Sequence, residues 1–440
     1  MTTPATMGSP RPRFRSGWQR SAERVAFSLQ ALFDLLRRRR RFLLSPSATF
    51  RGLREAFGVE RMLAMNKSVR FAGRTFISLT LPGYHSAAFD HAVARGALNS
   101  GSAGTPAKQQ VDNAILAITS RCGYACAHCY EKRNIDGAER ISVHTWQETI
   151  RELQEIGVSV VILSGGEPML RYEDLVRLLR SGDKSLSDFH VHTSGFGVDS
   201  ARATELRNAG LTAAGIGLDD VSPQRLDALR GAKGAFDTAL RAVECFNRAG
   251  VLTYLNLCLT PAFVRGGGLR GYFRLAKEIG VGLIEILEPR PCGGFQGVPV
   301  DRLLTEEDRR TVAEFVRAGN GDRRYRDYPI LYYVAAMESP GTMGCMMGGL
   351  SHFSIDAAGN VIPCVFVPVS FGNIREEPLR AIFPRMRSAV PRPVRAGCAS
   401  VLLAHVYASA PPGTTTRHED VRWEWSARLR DPEKKEPVAP

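Results

Sequence analysis

From residue 112 onward, short apolar runs alternate with longer amphipathic ones. The runs AILAIT (114–119), SVVILS (159–164), FHVHTS (189–194), AAGIGLD (213–219), LTYLNLCL (252–259) and GLIEILE (282–288) read as strands. Helical periodicity fills the gaps, over 143–156, 172–181, 200–209, 222–248 and 268–279, with a further helix near 304–318. Strand–helix alternation implies parallel strands joined by right-handed crossovers, in an open sheet or a barrel. Six units fall short of the eight that close a barrel. The expected fold is therefore α/β, a partial (β/α)6 TIM-type barrel with a small C-terminal extension.

Alternation within each strand assigns the faces. On the fifth, Leu255 and Leu257 oppose Tyr254, Asn256 and Cys258; on the fourth, Ile216 and Leu218 oppose Gly215, Gly217 and Asp219. His190, His192 and Ser194 share a face of the third. A polar, glycine-lined interior suggests a ligand cavity, although each residue taken alone is equally an ordinary satisfied polar core group.

The chain has 440 residues, 44% of them hydrophobic and 8% aromatic, enough for a sizeable core. No run approaches the roughly 20 apolar residues of a membrane span, and VAFSLQALFDLL near the N-terminus lacks the cleavage site of a signal peptide. A cytoplasmic location is expected, where clustered cysteines bind metal or do redox chemistry more often than they form disulfides. The net charge of +14 is uneven, because residues 1–70 alone carry +11. Residues 1–20 read as disordered, and 21–44 as an amphipathic helix running into Arg37–Arg41. This basic extension suits an anionic membrane surface, which would put the chain on the inner face of the membrane, or else docks on its own domain. Nucleic acid is disfavoured, since interleaved aromatics are missing. The expected organisation is the extension 1–44, an N-terminal segment and linker 45–110, a core 111–300, a second domain 301–406 and a disordered tail 407–440.

Three of the nine cysteines, Cys122, Cys126 and Cys129, follow the first strand as C-x3-C-x2-C in SRCGYACAHCY. Zinc sites usually pair two C-x2-C halves, and no second half lies nearby; a disulfide framework would leave one thiol over. Three thiolates on a tight loop suit three irons of a 4Fe–4S cube, with the fourth iron open. At the end of the second strand stands GGEP, Gly165, Gly166, Glu167 and Pro168. The loop and GGEP, in this order on successive strands, resemble the radical S-adenosylmethionine (SAM) superfamily over roughly residues 112–300. The resemblance implies that SAM chelates the open iron, with Gly165, Gly166 and Glu167 forming the turn that holds its amine. It implies reductive cleavage of SAM to a 5′-deoxyadenosyl radical that abstracts hydrogen from an unactivated carbon. Less closely matched positions are Ser194, in HTSGFG where many members have Asn, Asp219, and Arg230 in LDALRGAKGAF as partner for the SAM carboxylate. His128 stands where an aromatic residue is common.

Cys345 and Cys364 bracket GCMMGGLSHFSIDAAGNVIPC, with 13 residues from Cys345 to Gly359 and four from Gly359 to Cys364. This resembles the C-x9–15-G-x4-C hairpin of the SPASM and twitch domains, which hold auxiliary clusters. The dense cysteine run of a full SPASM pattern is absent and only Cys398 follows, so a twitch-like site with one auxiliary 4Fe–4S cluster is expected. Its ligands would be Cys345, Cys364 and Cys398, the fourth being Cys292, His352, His405, a substrate atom or nothing. Cys245 reads as core, and Cys258 as core or barrel lining.

The function implied is a radical SAM enzyme, an oxidoreductase or a transferase or mutase, acting on a peptide, lipid or small metabolite. It would draw on an electron donor such as flavodoxin or ferredoxin. The opposing reading is a non-catalytic iron–sulfur sensor or a nucleic-acid-binding scaffold.

Overall fold

The computed structural model describes residues 10–16, 67–99, 111–339, 341–408 and 415–430. Strands β1 (Arg13–Ser16), β2 (Lys67–Phe71) and β3 (Arg74–Phe76) form a small antiparallel sheet. Arg13–Ser16 thus departs from the disorder expected for residues 1–20, because pairing with β2 satisfies its backbone. The expected helix over 21–44 and Arg37–Arg41 lie outside the described residues.

The main sheet contains the six expected strands in sequence order: β4 (Val111–Ala117), β5 (Val158–Ser164), β6 (Asp188–Thr193), β7 (Leu211–Gly217), β8 (Leu252–Cys258) and β9 (Leu283–Leu287). Every neighbouring pair is parallel. The helices fall between them as the periodicity implied, except that the stretch 222–248 is two helices, Pro223–Arg230 and Ala235–Arg248, parted where Gly231 and Gly234 take the left-handed region. Val143–Ile156, for example, is capped by the Ser142 hydroxyl, which accepts from Thr145 N, and ends at Gly157 in the left-handed region. One strand unread in the sequence and the two strands of the expected hairpin extend the sheet. β10 (Ile330–Tyr333) adds in parallel beside β9, while β11 (His352–Ile355) adds in parallel beside β4 and pairs with the short β12 (Val361–Ile362). The sheet therefore continues past residue 300, and the segment carrying Cys345 and Cys364 is hydrogen-bonded directly to the strand that leads into Cys122.

β2 and β3 close one end of this barrel. Val69, Phe71 and Phe76 pack with Leu252, Leu283 and Ile330, each the first residue of its strand. Asp188, which opens β6 and is almost fully buried, accepts hydrogen bonds from Arg74 Nη1 (2.7 Å) and Gly83 N (2.9 Å). With the N-terminal end plugged, the open end is the one where the strands' C-termini emerge, and there ligands enter α/β folds.

The C-terminal region corrects an expectation. Tyr407 is buried at the close of the helix Ala404–Ala408, its hydroxyl donating to Ser400 O at 2.5 Å. Further on, β13 (Val369–Ser370) pairs with β14 (Thr416–Arg417), and a helix spans Arg422–Arg430. Trp425 is 1% exposed, donates Nε1–H to Ala389 O (3.2 Å) and meets Phe371 edge-on. Residues 415–430 are thus docked where composition suggested disorder, because two buried aromatics outweigh a polar average. Among the described residues no helix is long and apolar enough to cross a membrane.

Phe76 is 4% exposed. Phe76→Ala is expected to lower stability by about 3–4 kcal/mol, read as a lower denaturant midpoint, and to expose the N-terminal strands to limited proteolysis.

Candidate active site

The loop carrying Cys122, Cys126 and Cys129 is clamped by backbone. Behind it, Gly166 N donates to Thr119 O (2.8 Å) and Glu167 N to Arg121 O (2.8 Å). On one flank Ala125 N and Ala127 N donate to the carbonyls of Arg230 (3.1 Å) and Leu229 (3.0 Å), at the end of the helix Pro223–Arg230. On the other, Gly294 N donates to Cys129 O (2.9 Å). The approach is so close that a Cβ on Gly166 would lie 2.2 Å from Arg121 O, and one on Gly294 2.1 Å from Ala127 O. Glycine is the residue that fits.

Glu167 fastens this turn to the next strand. Its carboxylate, 1% exposed, accepts from Thr193 Oγ1 (2.6 Å), Ser194 N (2.8 Å), Ser194 Oγ (2.5 Å) and Met169 N (3.1 Å). Burial pushes its pKa up while these donors pull it down, and the balance is upward. The Ser194 hydroxyl is thus engaged with Glu167.

These residues border a cavity of about 290 Å³ at the open end of the sheet. Its wall includes the three thiols, Gly165, Gly166, Glu167, Ser194, Asp219 and Arg230. Arg230 Nη2 pairs with Asp219 Oδ2 at 2.5 Å, and its Nη1 lies 4.0 Å from Cys126 Sγ. Burial opposes the guanidinium's charge, but Asp219 and the Cys126 thiol more than offset this and hold it protonated. Asp219 Oδ1 also accepts from Cys258 N (2.9 Å), and His128 Nε2 lies 3.4 Å from its Oδ2. Burial pushes the thiols up, that of Cys129 to about 12, so they ionise only when a metal replaces the proton.

Both groups implied by the sequence can be tested against this lining. Arg230 Nε, Asn256 Oδ1 and His128 Nδ1 are buried on the cavity wall with no hydrogen-bond partner among the described residues. Such orphans call for a ligand bearing both an acceptor and a donor, which the amino-acid end of SAM has. All nine cysteines are free thiols. Among the described residues no three Cys, His, Asp or Glu side chains converge as a single ion would need; a cube attaches each cysteine at a separate iron. The residues fit both groups.

The second thiol group lies on the same cavity. Cys364 is in its wall, with Cys292, Cys258 and His352. Cys345 bridges antiparallel to Val394, four residues from Cys398, and Gly348 N donates to Pro363 O (2.9 Å), next to Cys364. Cys345 and Cys398 stand outside the cavity wall. His405 is on the surface, away from it. Cys245 is core, as expected.

Missed in the sequence was a polar row across three strands, Asn256, Glu285 and Tyr332, adjacent in register and all on the cavity wall. The alternation that assigned Asn256 would have found Glu285 too. Its carboxyl has no hydrogen-bond or ionic partner among the described residues, and burial alone pushes its pKa up to about 7. His192, hydrogen-bonded to Tyr254 Oη at 2.8 Å, is held neutral by burial, its pKa lowered to about 3.

Comparison with known proteins identifies two domains. The model for the radical SAM superfamily matches residues 116–263, and that for the SPASM iron–sulfur cluster-binding domain matches 345–398. The chain carries a radical SAM domain followed by a SPASM domain. Among its relatives is the Fe-coproporphyrin III synthase of Methanosarcina barkeri, 27% identical over 61% of this chain and 72% of that one. The PqqA peptide cyclase of Gluconobacter oxydans is also 27% identical, over 61% and 75%. The fold is similar to that of Streptococcus suis SuiB bound to its precursor peptide SuiA, with a TM-score of 0.55 at 14% identity, covering 70% of this chain and 75% of that one. The protein is accordingly an enzyme whose cofactors are a 4Fe–4S cluster, SAM and an auxiliary 4Fe–4S cluster. When bound, the first cluster and SAM supply a radical able to take hydrogen from an unactivated carbon.

Glu285 gives a pH signature. The unfolded carboxyl loses its proton near pH ~4.3, whereas the folded one keeps it to about pH 7. The folded state binds the extra proton between these values, so stability falls as pH rises through that window and the penalty is complete above it. Glu285→Gln should therefore stabilise the apoprotein at pH 8, by up to about 3–4 kcal/mol, and leave it nearly unchanged at pH 4. Thermal melts at the two pH values check this.

Proposed function

We propose that this radical SAM enzyme modifies a peptide-type substrate lying between its two iron–sulfur sites. The supporting observation is a single cavity bordered by Cys122, Cys126 and Cys129 and also by Cys364, with Asn256, Glu285 and Tyr332 on its wall. On this reading Cys122, Cys126 and Cys129 hold the SAM-binding cluster. Gly165 and Gly166 receive the methionyl amine through backbone, and Arg230, oriented by Asp219, receives the carboxylate. Glu167 and Ser194 act as positioning residues that fix the glycine turn to β6. Cys345, Cys364 and Cys398 hold the auxiliary cluster, whose presence on the same cavity favours an oxidative outcome.

The charge of the wall bears on the substrate. Its carboxyl groups are Glu167, Asp219, Glu288, Glu338 and Glu285, the last ionising only above about pH 7, against only Arg230 and Arg290. Burial keeps His128, His192 and His352 neutral. An acidic lining disfavours a polycarboxylate such as a tetrapyrrole, and favours the amide and amine donors of a peptide. The PqqA peptide cyclases among the relatives agree with this choice. An external donor of the flavodoxin or ferredoxin type would supply the electron.

The test is anaerobic reconstitution, reduction with dithionite, and assay of 5′-deoxyadenosine formed from SAM. Activity is expected, with loss of at least about 100-fold in Cys126→Ala. Adding a deuterated peptide pool from cells grown in heavy water should carry deuterium into the 5′-deoxyadenosine. Transfer from the lipid or small-metabolite fraction, and none from peptides, would discard the peptide reading. In Gly166→Ala the clash with Arg121 O should displace the cysteine loop, and iron bound at the first site should fall at least severalfold, measured with the auxiliary cysteines replaced.

A further inference from the structure

Cys345, Cys364 and Cys398 are three thiols for a cube of four irons. We propose that Glu338 supplies the fourth ligand, an oxygen, to the cluster held by these cysteines. The assignment rests on the reading that they hold a cluster, and it lies outside both family-model matches, which end at 263 and begin again at 345.

Position carries the case. Glu338 closes the short helix Val334–Glu338, which begins immediately after β10, so a core strand holds its backbone. Its side chain is on the wall of the cavity that also exposes Cys364. The carboxylate hydrogen-bonds the Cys398 thiol, and its charge acts on each of the three cysteines. Cys398 Sγ also lies 3.1 Å from Ser400 Oγ. Arg290 Nη2 donates to Glu338 Oε2 at 2.7 Å, and Arg290 is itself only 8% exposed. The other arm of Arg290 faces Glu288 at 3.4 Å, a carboxylate already engaged by Tyr333 Oη (2.5 Å) and Arg309 Nε (3.0 Å). Arg290 thus orients Glu338.

The alternatives fit less well. Cys292 is buried on the cavity wall and near Cys398, but its thiol makes no hydrogen bond to any of the three among the described residues. His352 sits in register with Asn113 within the sheet, its position set by β4 rather than by the thiols. A carboxylate is a harder ligand than a thiolate, so Glu338 would make one corner of the auxiliary cluster unlike the other three while keeping it occupied.

The experiment uses the full chain carrying Cys122→Ala, Cys126→Ala and Cys129→Ala, reconstituted anaerobically, so that only the auxiliary site holds iron. This parent should bind about four irons and, when reduced, give an electron paramagnetic resonance spectrum that cyanide leaves unchanged. Adding Glu338→Ala should shift the spectrum and make it respond to cyanide. Glu338→Cys should restore about four irons with a cyanide-insensitive spectrum and a lower midpoint potential. Loss of iron in Glu338→Ala with recovery in Glu338→Cys also supports the ligand role. Superimposable spectra from parent and Glu338→Ala, with the same cyanide response, would overturn it. A parent that binds no iron would remove the auxiliary cluster itself, and the ligand assignment with it.

Discussion

The backbone of the cysteine loop touches other backbone on several sides at once, and the site depends on that contact. Thr119 and Arg121 offer carbonyls to the GGEP turn, the end of the helix Pro223–Arg230 offers carbonyls to Ala125 and Ala127, and Gly294 donates to Cys129. None of these bonds involves a thiol, so the sulfurs stay free to bind metal while the loop that bears them is fixed. The requirement propagates outward. Gly166 has no room for a side chain, and Glu167, one residue on, is buried and tied to Thr193 and Ser194. The ends of β4, β5 and β6 are thereby one unit.

The second thiol group is placed by the same sheet. β11 lies parallel to β4, with His352 opposite Asn113 and Ile355 opposite Leu116. The hairpin that follows β11 therefore turns at the end of the sheet from which the first cysteine loop emerges. Cys129 and Cys364, far apart in sequence, border one cavity because two strands share hydrogen bonds. The plug of β2 and β3 lies at the opposite end, and Glu285 and Asn256, without side-chain partners among the described residues, line the cavity.

The core elements were legible because their patterns are local: period-two runs, helical stripes, and three cysteines within eight residues. Arg230 came from the resemblance of LDALRGAKGAF to a family segment rather than from any periodicity, and the fold puts it on the cavity wall. What escaped depended on distant partners. ILYY is too short to stand out as a strand until β9 is present to receive it, and the hairpin that begins at HFSI gave no sign that it would pair with β4. Trp425 lies in a polar segment, and its burial follows from Phe371 and Ala389, which no periodicity connects to it. Glu338 belongs to no motif, and only the fold brings it beside Cys398.

The central claim is that two clusters serve one cavity, with SAM at one of them. Its most direct test is low-temperature electron paramagnetic resonance of the reconstituted, reduced enzyme with and without SAM. Two signals are expected. One should shift on adding SAM and vanish with Cys122, Cys126 and Cys129; the other should ignore SAM and vanish with Cys345, Cys364 and Cys398. A single signal, or two signals neither of which responds to SAM, would contradict the claim.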